Sequence, residues 1–326
     1  MIIQKIRASA RETGDGFMKG RLLLFGAFTL AGTSVVAAKS LAGRLGPFTI
    51  AAMSLLFALG LLLPVCGGRW IKAVRGMSKR AFGAAFLQAF FGMFLFRALL
   101  IHGVSRTSSA EAGVLTGVTP AITALLAWVV LKEPAGRRTL AGISATVLGV
   151  LFVQGLGGQA RLSAGHIAGN IFVLCAATSE SVFNILSRIS ASKKTHDRVP
   201  LDPPIQTALV SAIALILCLV PALMERPLAH LSAIALREWL SLGWYGVFVT
   251  ALSYLCWYAG IKRSDALTAA AFSGMIPLTS MLLSTLVLGE RPGLSQWTGG
   301  VLVVVGMALI GLGGTKRNTI ERMASA

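Results

Sequence analysis

The chain alternates long apolar runs with short polar connections. Runs of the roughly 17 to 25 residues needed to cross a hydrocarbon core occupy 22–41, 48–66, 82–101, 110–131 and 140–157, then 166–187, 205–224, 239–260, 267–288 and 297–314. The pattern predicts ten membrane spans, numbered here as helices 1 to 10. The runs are continuous rather than segments of about ten residues alternating in polarity, so helices and not strands of an outer-membrane barrel are the expected spanning structure. Lys5, Arg7, Arg11, Lys19 and Arg21 precede the first run as they would in a secretory signal. That run is long enough to span and has no good cleavage site, so it reads as the first helix.

Composition agrees. Of the 326 residues 55% are apolar and 13% charged, against about one quarter charged in soluble domains, which excludes a water-soluble fold. Cys66, Cys175, Cys218 and Cys256 fall within apolar runs with no CxxC pair. They predict neither a disulfide framework nor a zinc site, and read as buried small hydrophobes.

The net charge of +18 raises the question of nucleic acid, which the distribution of charge answers. With the N-terminus inside, the outer segments hold only Arg44, Arg106, Arg161, Arg226, Arg237 and Arg291, and Lys39 and Arg97 lie within runs. All the other Lys and Arg residues fall on the inner side. The positive-inside rule then places both termini in the cytoplasm. No soluble cluster of bases interleaved with aromatics is left for nucleic acid.

The chain also repeats itself. Residues 157 apart match: Gly103 with Gly260, Arg106 with Arg263, Gly117 with Gly274, Pro120 with Pro277, Glu133 with Glu290, Gly142 with Gly299, Gly149 with Gly306, and Gly157 with Gly314. Each half contains five runs, an odd number, so the second half enters the membrane with the opposite orientation. Inverted repeats place a substrate site near the midplane where the halves meet. The expected architecture is all-α integral membrane, 5+5, with an N-terminal segment 1–21, repeats 22–158 and 164–314, and a tail 315–326. Pro120 and Pro277 fall ten residues into helices 4 and 9, where each removes a backbone hydrogen bond and marks a candidate hinge. Glu133 and Glu290 end those helices and read as turn or interface residues. Glycine and alanine along helices 5 and 10 suit close packing.

A mid-span proline, a span ending in Leu-Lys-Glu-Pro (131–134) or Leu-Gly-Glu-Arg-Pro (288–292), and then a Gly-rich span occur twice. This pattern resembles the drug/metabolite transporter superfamily, and most nearly its EamA-type branch of ten-helix bacterial carriers. The resemblance covers nearly the whole chain. It implies a basket of ten helices around a cavity lined by helices 1, 3, 4, 6, 8 and 9, and export of amino acids, related metabolites or drugs. Lys39 and Arg188 look like the basic residues that often close helices 1 and 6 in that family. Ser54 departs from it where an arginine is common, and Glu180 where an aromatic or small residue is usual.

Ionisable groups inside a span are costly, so each is a candidate for function. Glu180 lies seven residues before the inner end of helix 6, about 10 Å deep at 1.5 Å per residue, in a core about 30 Å thick. Asn184 and Arg188 follow on the same helical face. That face suits a substrate ammonium or an exchanging proton, or else it is a polar seam between helices. Arg97, near the outer end of helix 3, is placed to attract a carboxylate, to snorkel, or to pair with Glu111, which sits at a helix N-terminus. Lys39 reads as snorkelling. In helix 8, Tyr254, Trp257 and Tyr258 form an aromatic face suited to a ring or a cation; the interfacial belt accounts for Trp257 and Tyr258, and Tyr254, whose repeat partner is Arg97, reads as a cavity residue.

No GxSxG, HExxH, paired-aspartate or Gly-rich phosphate motif is present, and His102, His166, His196 and His230 fall at loops or span ends. Neither catalysis nor a cofactor or metal is expected. The expected function is a secondary transporter in a bacterial inner membrane that exports amino acids or similar amphipathic metabolites, with a proton as candidate coupling ion. Its partners are a small-molecule substrate and the lipid bilayer, and it is monomeric or homodimeric. Uptake, or a receptor or assembly role without transport, are the alternatives.

Overall fold

The computed structural model describes residues 2–130, 136–152, 164–191, 201–227, 234–263 and 272–324, with side chains except at 2–17, 164–165, 188, 191 and 311–324. Among residues named above, Glu133, Gly157, Arg161, His196 and His230 and the side chains of Lys5, Arg7, Arg11 and Arg188 lie outside the described residues.

Every regular element among the described residues is a helix, apart from an isolated β-bridge between Ala42 and Leu45. They are α1 (Ile2–Leu41), α2 (Pro47–Cys66), α3 (Arg69–Arg75), α4 (Lys79–Val104), α5 (Ser109–Val130), α6 (Arg137–Leu151), α7 (Ala164–Ala191), α8 (Pro203–Met224), α9 (Leu236–Ile261), α10 (Met275–Leu288) and α11 (Leu294–Ala324). Seven stretches of the described residues are long and apolar enough to cross a membrane: Met18–Leu41 of α1, α2, α4, α5, His166–Ser187 of α7, α8 and α9. The shorter apolar helices α10 and Leu294–Ile310 of α11, together with α6, fall in the remaining predicted windows.

Local chemistry sets the helix ends. Pro47 and Pro203 open α2 and α8, where a missing N–H costs nothing and φ is already helical. The Ser108 hydroxyl accepts from Glu111 N at 3.1 Å and so caps α5. Glycine at φ +67°, Gly289, stops α10. The turn that follows presents Glu290, whose carboxylate accepts from Ser109 N and Ala110 N at 3.0 Å each. Glu225, just after α8, likewise accepts from Phe48 N at 3.1 Å and Thr49 N at 2.8 Å. Two carboxylates at the ends of α8 and α10 thus neutralise the exposed amides and positive dipole ends of α2 and α5.

The helices pack in reciprocal pairs. α1 lies on α9 and α10, as α7 lies on α4 and α5; α2 packs on α8 and α9, as α8 packs on α2 and α4. α6 and α11 cross antiparallel, Gly142 against Gly306 and Gly149 against Gly299, with no Cβ to hold the backbones apart. The largest apolar core joins Val35 and Leu41 of α1, Ile50 of α2, Leu100 of α4, Leu115 of α5, Val173 of α7 and Tyr245 of α9. It sits at the end of the bundle where α1 and α4 finish and α2, α5, α7 and α9 begin. Large apolar side chains such as Leu56, Trp128, Ile216, Leu223, Leu286 and Val301 are exposed around the outside, as suits a lipid-facing surface. Cys175 is also exposed and Cys256 half-buried, so only Cys66 and Cys218 match the expectation of buried cysteines. Position on the helix face, which an apolar run does not reveal, makes the difference.

Candidate functional site

α4 and α9 are not regular throughout. Each widens into a π-helical stretch, Phe90–Leu95 in α4 and Tyr245–Leu252 in α9, and such stretches release backbone carbonyls from the i→i−4 ladder. Side chains of neighbouring helices take them up. Ser179 of α7 donates to Phe91 O at 2.7 Å, and the Tyr254 hydroxyl donates to Gly92 O at 2.7 Å. Gly92 has no side chain because the Phe183 ring occupies that space: a Cβ would lie 2.4 Å from Cδ2 of the ring. Phe183 in turn packs on Tyr254 with centroids 5.7 Å apart.

Glu180 is half-buried one turn before Asn184, which is also half-buried. Its Oε2 lies 3.1 Å from the Thr119 hydroxyl. Here α5 does more than kink. Gly117 N and Val118 N bond to Val114 O and Leu115 O, three residues back, at 3.0 and 3.1 Å, and the helix breaks before Pro120. α10 is likewise preceded by a turn at Ser273 and Gly274, before Pro277. Ser181 Oγ lies 2.9 Å from Thr119 O, so α7 is bonded to the break from two adjacent residues.

Trp257 packs edge-on against Phe28 of α1, centroids 5.5 Å apart, and its enclosed indole N–H has no hydrogen-bond partner among the described residues. Tyr258 departs from the interfacial reading. It is buried, and its hydroxyl donates to Gln88 Oε1 at 3.1 Å. Gln88 also bonds Ser190 Oγ at 3.0 Å and Gln206 Nε2 at 3.1 Å, so a buried amide draws α4, α7, α8 and α9 together. Isolated glutamines in apolar runs gave no signal of this in the sequence.

Arg97 is 2% exposed. It neither snorkels nor pairs with Glu111: it donates to the hydroxyls of Ser54 and Thr250 and stacks over the Tyr245 ring, 4.8 Å from the centroid. Ser54 and Thr250 come from α2 and α9, so the guanidinium bolts three helices together. Glu111 instead accepts from Thr107 Oγ1 at 2.7 Å and Gln296 Nε2 at 2.9 Å, and lies 3.6 Å from His166. Lys39 donates to Val104 O at 2.8 Å, the last carbonyl of α4, and to Thr107 O at 2.6 Å in the turn beyond it. These groups, with Arg106 and Glu290, line a polar cavity of about 500 Å3 at that end of the bundle. Glu180, Asn184, Phe183, Tyr254 and the break at Pro120 therefore form one neighbourhood, Trp257 lies against α1, and Arg97 is enclosed between α2, α4 and α9.

The model of the EamA-like transporter family matches residues 18–154 and again 167–312. The chain belongs to the EamA-like transporter family. Within the drug/metabolite transporter superfamily, this EamA-like chain is 27% identical over 295 residues to the uncharacterized transporter YetK of Bacillus subtilis, covering 86% of this chain and 85% of that one. It is 24% identical over 305 residues to a WAT1-related protein of Arabidopsis thaliana (87% and 82%). It is also 24% identical over 236 residues to a probable terminal-alkyne amino-acid exporter of Streptantibioticus cattleyicolor (72% and 73%). A crystal structure shares the fold at a TM-score of 0.59 and 21% identity, over 90% of this chain and 96% of that one. The EamA-like chain is thus a multi-pass membrane protein of a transporter family.

Proposed function

We propose that the protein exports amino acids or similar small amphipathic metabolites across a bacterial inner membrane by alternating access. Ten spanning helices form two inverted five-helix repeats, 22–158 and 164–314, with segments 1–21 and 315–326 both cytoplasmic. The reciprocal packing of α1 on α9 and α10 and of α7 on α4 and α5 supports this symmetry, which surrounds a shared midplane site. The amino-acid class takes support from the probable terminal-alkyne amino-acid exporter among the relatives.

One observation carries the reading: a half-buried carboxylate in mid-span, Glu180, is hydrogen-bonded to the residue beside the Pro120 break. A charge at that depth is retained for use. Glu180 engages the substrate ammonium or a coupling proton, Asn184 and Trp257 offer polar contacts, Tyr254 offers an aromatic surface, and Pro120 and Pro277 act as hinges. Arg97, enclosed between α2, α4 and α9, contributes a fixed positive charge rather than a direct contact.

The test is counterflow of labelled amino acids in proteoliposomes of the full chain. We expect efflux of at least one amino acid, lowered about tenfold or more and made insensitive to pH by Glu180→Gln. Solute movement driven only inward would replace export with uptake. No movement of any solute under any gradient would point to a receptor or assembly role.

A further inference from the structure

Pro120 has no N–H, so the carbonyl four residues earlier, Thr116 O, has no backbone donor. Thr119 Oγ1 lies 2.8 Å from that carbonyl and 3.1 Å from Glu180 Oε2. A hydroxyl has one hydrogen and two lone pairs, so it donates to one of these oxygens at a time. An ionised Glu180 only accepts, and takes the hydrogen; Thr116 O at the break is then left without a donor. A protonated Glu180 donates its own hydrogen to Thr119 Oγ1, whose hydrogen is freed to turn to Thr116 O. No bond to carbon changes and no proton leaves Thr119; the only proton gained or lost is that of Glu180.

We propose that Thr119 is the positioning residue that converts protonation of Glu180 into a change of backbone order at the Pro120 break. This rests on the reading of Glu180 as a group that ionises during transport. The device belongs to one half only. Ile276 stands where the repeat would place a second Thr119, and the helix facing it is α1, where Gly32 has its Cβ position 2.8 Å from Ile276 O. The first half meets its break with a carboxylate and hydroxyls, the second with the glycine of α1 set against Ile276 and Thr279.

Among the described residues no charged group pairs with Glu180. Of the titratable groups on the elements packed against α7, Glu111 of α5 and His102 of α4 lie toward the far end of the bundle, and Lys79 and Arg80 open α4 at the other. Arg97 is held by Ser54 and Thr250. Tyr254 of α9 lies close enough to interact electrostatically. On α7 itself His166 is at the start, and Arg188 lies two turns on with its side chain outside the described residues.

Amide hydrogen exchange of the full chain in nanodiscs tests the coupling without any solute. After correction for the chemical dependence of exchange on pH, the amides of 117–119 and 121–123 in the unaltered protein should differ about three- to tenfold between protonated and ionised Glu180, the size expected of one hydrogen bond. Thr119→Ser, which keeps the hydroxyl, should preserve that difference, and both Thr119→Val and Glu180→Gln should abolish it. Should Thr119→Val fail to assemble, Thr119→Ala gives the same reading. A pH difference that survives loss of the hydroxyl, or that is missing from the unaltered protein, overturns the proposal. If the difference is present yet no solute is moved, it is the transport reading that fails; if transport is pH-dependent through Glu180 while these amides stay silent, it is the coupling.

Discussion

Gly142 and Gly306 meet backbone to backbone: a Cβ added to Gly142 would lie 2.5 Å from Gly306 O, and one added to Gly306 would lie 2.6 Å from Gly142 O. The offset of 157 that pairs Gly142 with Gly299 and Gly149 with Gly306 carries this contact onto that of Gly149 with Gly299. The same close approach is therefore made twice across one helix crossing, as two related halves facing each other would make it.

Gly142→Val should accordingly be poorly tolerated. Forcing the backbones of α6 and α11 apart costs about 1–3 kcal/mol as overpacking, with more from lost interhelical contact. Thermal unfolding in detergent should show a fall in Tm for Gly142→Val and for Gly306→Val. Substitution at Gly136, which has nothing within 4 Å of its Cβ position, should leave Tm unchanged.

Glu225 and Glu290 each cap a helix from another part of the chain. Replacing either with alanine should cost about 0.5–2 kcal/mol, the range for losing an N-terminal cap. Glutamine, which retains an acceptor oxygen but not the charge, should recover part of it. Equal Tm values for Glu290→Ala and the unaltered protein would show that the cap contributes nothing.

Arg97 reaches Ser54 and Thr250 at once, so these two hydroxyls share one guanidinium. Hydrogen bonds to a charged group contribute about 1.5–3 kcal/mol, and losing both strands a buried cation. Ser54→Ala and Thr250→Val should therefore be non-additive in a double-mutant cycle of unfolding free energies. The coupling should vanish when Arg97 is already methionine.

How far the sequence carried depends on the kind of information each residue holds. The all-helical membrane character, the family and the break near Pro120 were legible because hydrophobic length, a repeated motif and a missing N–H are properties of the chain itself. Glu180 stood out because a carboxylate in an apolar run is costly wherever it points. Thr119, Ser179 and Ser181 did not, since a hydroxyl inside a helix ordinarily bonds to its own turn, and only the packing of α7 on α4 and α5 shows which carbonyls are free to accept. Tyr258 and Arg97 were misplaced or left open for the same reason: depth along a helix can be counted from the sequence, but the face that meets Gln88 or Ser54 depends on the neighbour.

Tyr254 and Trp257, three residues apart on α9, are predicted to separate in function. The Tyr254 hydroxyl is committed to Gly92 O at 2.7 Å, a carbonyl of the π-helical stretch. Tyr254→Phe should therefore lower Tm, by the equivalent of about 1 kcal/mol for an unmade bond to a buried carbonyl. The indole N–H of Trp257 is committed to no described residue, and Trp257→Phe removes that donor together with part of the ring. It should raise the apparent KM for a transported solute about three- to tenfold, again the worth of one hydrogen bond. Measuring both variants for unfolding and for counterflow separates the roles. If Trp257→Phe destabilises the fold while transporting with an unaltered KM, Trp257 is a packing residue and the solute does not touch it.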